Sequence, residues 1–184
     1  KVKIAGGAVS HIGVALMLIG IMYSSAYERV ISLNFEGNNL FQDEKDNAES
    51  TLLYVKRPTR IQDFSLTYGG EFLKIRNVPG YIEKRFVQQV LDSDYKGVLR
   101  ADLMDGDKFL AKKGDTVEYN AENTYYQVNF KRGDKEDFNV YPRYQINPQM
   151  GNVVSPDIKH YWNKDIYSHV NYVTTGEEKQ RKLL

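Results

Sequence analysis

Cysteine is absent from the 184 residues, which removes disulfides, thiolate metal sites and thiol nucleophiles from consideration. Histidine is nearly absent too: His11, His160 and His169 lie far apart, with no HxxxH spacing, so a protein-made zinc site has no ligand set. Neither sign of charge dominates, because 25 Lys and Arg are interleaved with 24 Asp and Glu for a net charge of +1. No single-sign stripe exists to neutralise phosphates, which argues against DNA or RNA binding. The chain has no GxSxG elbow and no GxxxxGK[ST] loop, and Gly69-Gly70 lacks the GxGxxG pattern. Asp105, Asp107 and Asp115 sit beside glycines in turn contexts, so they do not argue for a paired-carboxylate hydrolase. Fixed-period repeats and low-complexity tracts are missing as well.

What the chain has is one apolar run. Residues 4–27 carry no acidic or basic side chain apart from His11. As a helix, residues 4–22 would span about 28 Å at ~1.5 Å per residue, close to the ~30 Å hydrocarbon core of a bilayer. Eight strong inserters (Ile4, Val9, Ile12, Val14, Leu16, Leu18, Ile19, Ile21) offset a neutral imidazole. Gly6, Ser10, Gly13 and Gly20 share one stripe where another helix can approach closely. His11 lies on the adjacent stripe with Gly7, Val14 and Leu18. An ionisable residue at membrane depth is a functional hypothesis by default. Three plainer readings compete: a secretory signal, with Tyr23-Ser24-Ser25-Ala26 as a loose cleavage site; a plain anchor whose His11 merely hydrogen-bonds a backbone carbonyl; and a glycine-rich core helix of a larger soluble fold. The run exceeds the ~7 to 15 residues of a signal's apolar core. Lys1 and Lys3 before it favour a cytoplasmic start and an external remainder.

Beyond residue 27 the composition shifts to Tyr, Thr, Val, Asn and Gly with alternating apolar positions, which predicts strands. The expected architecture is mainly β: one N-terminal transmembrane helix (1–27), an antiparallel β-sandwich or partly open barrel (28–175), and a charged linker (176–184). Strands are expected at 29–35 and 52–56, with a loop at 36–50 between them. A hairpin at 64–75 turns on Gly69-Gly70, and a short helix spans 81–91. A meander follows over 98–104, 109–112 and 116–119, separated by Asp105-Gly106 and Gly114-Asp115. Residues 124–131 and 137–141 flank Arg132-Gly133-Asp134 as the clearest hairpin, with Phe138 and Val140 opposite Tyr126, Val128 and Phe130. Pro142, Pro148 and Pro156 are expected to break the ladder before a closing strand at 165–173.

The run Gly6-Gly7-Ala8-Val9-Ser10-His11-Ile12-Gly13-Val14-Ala15, with Ile19-Gly20-Ile21 and Ser24-Ser25 after it, resembles a late transmembrane helix of CcmF-type cytochrome c haem lyases. Tyr141-Pro142-Arg143-Tyr144 resembles that family's Lys-Arg-Tyr segment. Ser155-Pro156-Asp157-Ile158 and Lys164-Asp165-Ile166-Tyr167 resemble its Thr-Glu-Ala-Ile and Arg-Asp-Leu-Tyr segments, in the same order. Residues 36 to about 135 show little motif-level similarity. The family joins haem to the CxxCH thiols of apocytochrome c. The resemblance implies that His11 is an axial ligand to the iron of a resident b-type haem, with the second ligand outside this chain. The family's tryptophan-rich haem-handling motif has no counterpart, since Trp162 is the sole tryptophan.

The resulting expectation is part of a cytochrome c assembly protein of a bacterial inner membrane. Its β domain faces the periplasm and docks apocytochrome c or other assembly proteins, and this segment alone is not catalytic. Tyr141, Arg143, Tyr144, Trp162, Asp165 and Tyr167 are the docking candidates, set against the common role of strand tyrosines in packing. The rival expectation is a membrane-tethered or exported β-sandwich binding module without enzymatic activity, in which His11 is incidental.

Overall fold

The computed structural model describes residues 5–37, 39, 41–76, 78–90, 95–105, 108–134, 136–147, 149–171 and 173. Helix α1 (Ala5–Ala26) holds the apolar run. Its 22 residues reach about 33 Å at ~1.5 Å per residue. Its described side chains are exposed throughout. Among the described residues it is the one helix long and apolar enough to cross a membrane, a test that a signal sequence also passes. The helix ends with the Tyr27 amide donating to the Tyr23 carbonyl (3.2 Å), and the two rings pack at 4.3 Å.

The rest is mainly β, as the alternation predicts, and its largest sheet curls into an antiparallel half-barrel. Its strands are β1 (Thr59–Ile61), β2 (Phe64–Leu73), β3 (Ile82–Glu83), then β4 (Val87–Gln89), β5 (Lys96–Leu99), β6 (Leu103–Asp105), β7 (Lys108–Ala111), β8 (Thr116–Glu118), β9 (Asn123–Arg132), β10 (Glu136–Val140), β11 (Arg143–Asn147), β12 (Gly151–Ser155), β13 (Asp157–His160) and β14 (Asp165–Ser168). The order β1-β2-β9-β11-β12 forms the main sheet, with β3 added to β2 and β10 to β9. A small sheet β4-β5-β8 and the hairpins β6-β7 and β13-β14 complete the fold.

Strand β9 is the spine. Its residues alternate without a fault, burying Thr124, Tyr126, Val128 and Phe130 on one face. One edge pairs with β2, and the other pairs with β10 and then β11. The expected hairpin is present, with Phe138 opposite Phe130 and Val140 opposite Val128. The expected break at Pro142 is present too, between β10 and β11, but it keeps the register: Val140 faces Val128 and Arg143 faces Tyr125. Pro142 gives up the bond its missing N–H would donate, while its carbonyl accepts from the Tyr126 amide at 3.0 Å. The strand therefore stops at Val140 and resumes at Arg143 along the same edge of β9. Pro156 does separate β12 from β13, and Pro148 lies outside the described residues.

Gly69-Gly70 is not a hairpin turn. β2 runs through it as a single strand, with Tyr68 opposite Val128 and Gly70 opposite Gln127, so Gly69 is the extra residue of a bulge. Gly70 has φ +124. A Cβ on Gly69 would lie 1.9 Å from Gln127 Oε1. Both glycines serve close approach and backbone freedom rather than reversal. The helix expected at 81–91 is absent as well. Residues 82–89 form β3, a 3-10 turn (Lys84–Phe86) and β4, because Ile82 pairs with Leu73 and Val87 with Leu99. Leu91, its expected end, lies outside the described residues, as do Gly106, Asp107 and residues 174–184.

The strand expected at 29–35 lacks a ladder. Leu33 instead exchanges bonds with the Thr51 hydroxyl (3.0 and 2.9 Å), and the Asn34 amide donates to Ala48 (3.0 Å). Residues 52–56 form only one bridge, Val55 to Tyr68, before Lys56 turns left-handed at φ 58. The loop expected at 36–50 contains helix α2 (Glu44–Glu49), whose N-cap Asp43 accepts from the Lys45 and Asp46 amides. The strand expected at 98–104 splits into β5 and β6, and the closing strand stops at Ser168.

Two apolar clusters result. The first joins Ile61, Phe64, Leu66, Val128, Phe130, Val140 and Ile166, with Ile31, Leu53, Phe138 and Tyr161 packed on it. The second joins Ile75, Ile82, Leu99, Leu103 and Val117.

Two outcomes follow for the full chain in detergent. Gly97→Ala should lower stability in urea by about 1–3 kcal/mol, because its Cβ would lie 2.5 Å from Val87 Cγ1 and 2.8 Å from Tyr119 Cε1; an unchanged midpoint would contradict the packing of β5. Burial, and secondarily Glu71, pushes the Tyr68 phenol from 10.0 up to about 12, and burial raises Tyr126 as well. Folding holds these protons more tightly than the unfolded chain does. The contribution of Tyr68 is therefore complete below pH 10.0 and is lost as pH rises towards 12. Denaturation midpoints should fall across that window, and Tyr68→Phe should flatten the fall.

Candidate functional site

On α1, His11 Nδ1 lies 2.6 Å from the Gly7 carbonyl oxygen, and the Ser10 hydroxyl donates to Gly6 at 3.0 Å. A carbonyl only accepts, so this bond places the imidazole proton on Nδ1 and leaves the Nε2 lone pair directed away from the helix backbone. That is the tautomer needed for metal ligation through Nε2. A Cβ on Gly6, Gly7, Gly13 or Gly20 would meet nothing within 4 Å. The helix surface around His11 is open to close approach by another helix or a flat ligand. Among the described residues, no group of three His, Cys, Asp or Glu side chains converges to hold a metal ion.

The six docking candidates separate into two groups. Tyr141 is a structural tyrosine. Its amide donates to Asp157 Oδ2 at 2.7 Å, its hydroxyl accepts from Gln127 Nε2 at 2.8 Å, and its ring stacks on Tyr81 at 4.0 Å and 12°. Arg143 donates through Nη2 to the Ser155 hydroxyl at 2.8 Å across the β11-β12 pair. Tyr144 is half-buried opposite Thr124 and Val154. The other three belong to the β13-β14 hairpin: Trp162 in its turn is 97% exposed, Tyr167 is exposed opposite Ile158, and Asp165 pairs with His160 Nδ1 at 3.0 Å. The first group braces the sheet, and the second presents a surface. His169 is exposed.

Sequence reasoning missed a tyrosine stack and the cleft beside it. Tyr81 lies between Tyr141 and Tyr125 (5.0 Å), Phe72 meets Tyr141 edge-on at 5.5 Å, and Lys74 Nζ sits 5.9 Å from the Tyr81 ring. Burial raises the Tyr81 phenol above its ordinary value, and the charge of Asp157 adds to that, so it stays a neutral donor. Tyr125 continues into a cleft of about 620 Å³ with Lys74, Arg76, Tyr95, Glu118 and Asn120 among its walls. Arg76 and Glu118 bridge its rim at 3.2 Å. The only sequence signal was the excess of tyrosine, since Tyr81 and Tyr125 are 44 positions apart in the chain and meet through β2 and β3.

Aromatic faces, the Tyr81 phenol and the Lys74 ammonium suit binding of a polar or aromatic group. Compared with known proteins, the chain matches no protein family, no curated protein and no solved structure.

Proposed function

We propose that this chain is part of a membrane-bound cytochrome c assembly protein of the CcmF type, in which α1 crosses the bilayer and carries a ligand to a resident b-type haem. The observation that carries the reading is the His11 side chain, whose Nδ1 proton is committed to the Gly7 carbonyl at 2.6 Å so that Nε2 is free to bind iron. The glycines around it let a flat macrocycle or a partner helix come close. The resemblance of residues 6–25 and of the segments around Tyr141, Ser155 and Lys164 adds to this. Bound there, haem would supply one-electron redox chemistry at iron. His11 would hold the group in place, and the apolar helix would exclude water. The β domain then lies on the periplasmic side of a bacterial inner membrane and serves docking of apocytochrome c or assembly partners.

The cleft at Lys74 and Tyr125 favours the second reading, a membrane-tethered binding module in which His11 only satisfies its own helix. The parent protein purified in detergent separates the two. Wild type should show a Soret band that His11→Ala loses by at least tenfold at equal protein and unchanged circular dichroism. Equal haem in both preparations, or none in either, would sink the ligand assignment and leave the binding module.

A further inference from the structure

The β13-β14 hairpin ends in a tryptophan with nothing to pack on. Its turn is closed by the Tyr161 amide donating to the Lys164 carbonyl at 2.9 Å. Tyr161 points inward onto the first apolar cluster, while Trp162, its neighbour, is 97% exposed. Two ammonium groups flank the turn: Lys159 Nζ is 5.6 Å from the Phe138 ring, and Lys164 Nζ is 5.2 Å from the Tyr161 ring. Asp165, at the turn's base, lies 3.0 Å from His160 Nδ1, so the two ammonium groups outnumber the carboxylate there. The tip is a convex aromatic point with a positive collar.

The path of the chain says what it faces. Ile31 is the first residue after α1 to pack on the first cluster, the same cluster that seats Tyr161. Its carbonyl accepts from Gln62 Nε2 at 3.2 Å, which pins it there. Only Tyr27 to Val30 lie between the end of α1 and Ile31. Five residue steps at ~3.6 Å keep Ile31 within about 18 Å of the helix end. The cluster that Ile31 and Tyr161 share therefore begins within that reach of the surface α1 leaves. Tyr23 and Tyr27, whose rings meet at 4.3 Å at that helix end, mark the same level.

We infer that the β13-β14 hairpin is a membrane-interface anchor: Trp162 enters the headgroup layer of the bilayer that α1 crosses, and Lys159 and Lys164 engage anionic headgroups. The inference rests on α1 spanning a bilayer. Tryptophan favours this layer because its ring is apolar and its N–H needs a polar partner, and lysine extends to it on a flexible stem. Trp162 and α1 together then fix the β domain at two points and restrict its rotation over the membrane.

Because Trp162 is the sole tryptophan, its fluorescence reports this contact directly. The full chain is reconstituted in vesicles of phosphatidylcholine with phosphatidylglycerol, with and without lipids brominated near the headgroup. Brominated lipid should quench Trp162 emission at least twofold, and Lys159→Glu with Lys164→Glu should halve that quenching. Unquenched emission overturns the anchor and leaves Trp162 to a protein partner. Alkaline carbonate extraction of the same vesicles tests α1 separately: a chain that resists extraction with unquenched Trp162 fails the anchor alone, and an extracted chain fails the spanning reading. Trp162→Ala should keep the wild-type unfolding midpoint, since the ring packs on nothing.

Discussion

The fold depends on one strand. β9 alternates over ten residues and is paired along both edges, so the inward Val128 and Phe130 are each fixed by register partners on two sides. Val128 and Phe130 carry the first apolar cluster, and Tyr126 meets Tyr68 across the β2 pair at 6.2 Å. A slip of one residue would turn this whole set to the other face. The bulge at Gly69 is how β2 accommodates the spine: it admits Gln127, and Gln127 in turn holds the Tyr141 hydroxyl. The stack of Tyr141, Tyr81 and Tyr125 is thus a consequence of β9's register rather than a separate device.

What was legible in the sequence tracks how local each determinant is. The β9-β10 hairpin was readable because alternation and turn chemistry lie within twenty residues and agree. The apolar helix was readable by length alone. Gly69-Gly70 was misread because a Gly pair has the same composition in a turn and in a bulge; only the partner strand, some sixty residues away, distinguishes them. Residues 81–91 have helical spacing, but Ile82 and Val87 find strand partners in Leu73 and Leu99, and tertiary pairing outweighs a weak period. Helix α2 carried a signal that was passed over, Asp43 followed by acidic residues in the first turn.

The candidate site residues follow the same rule. His11 stood out because an imidazole within an apolar run is a local anomaly. Five of the six docking candidates, all but Trp162, came from similarity of short segments, which does not say whether a side chain faces solvent. The fold assigns Tyr141 and Arg143 to bracing the sheet and leaves Trp162 and Tyr167 on its surface. Pro142 explains much of this division. With its N–H missing, the Tyr141-Pro142 corner takes its remaining support from Asp157 on the next hairpin, which ties β13 to the main sheet through a carboxylate rather than a ladder.

That tie bears on how the two exposed features are arranged. The first cluster receives the chain from α1 at Ile31 and seats the hairpin that bears Trp162. The second cluster contributes Ile75, and Val78 packed against it, to the walls of the cleft. The chain's entry from α1 and the Trp162 hairpin are therefore built on one apolar cluster, and the cleft draws on the other. On the proposed anchoring at α1 and Trp162, the first cluster lies on the lipid side and the cleft is built on the second. The Asp157 carboxylate, bonded to Tyr141 on one side and part of the Trp162 hairpin on the other, is the short link between those two surfaces.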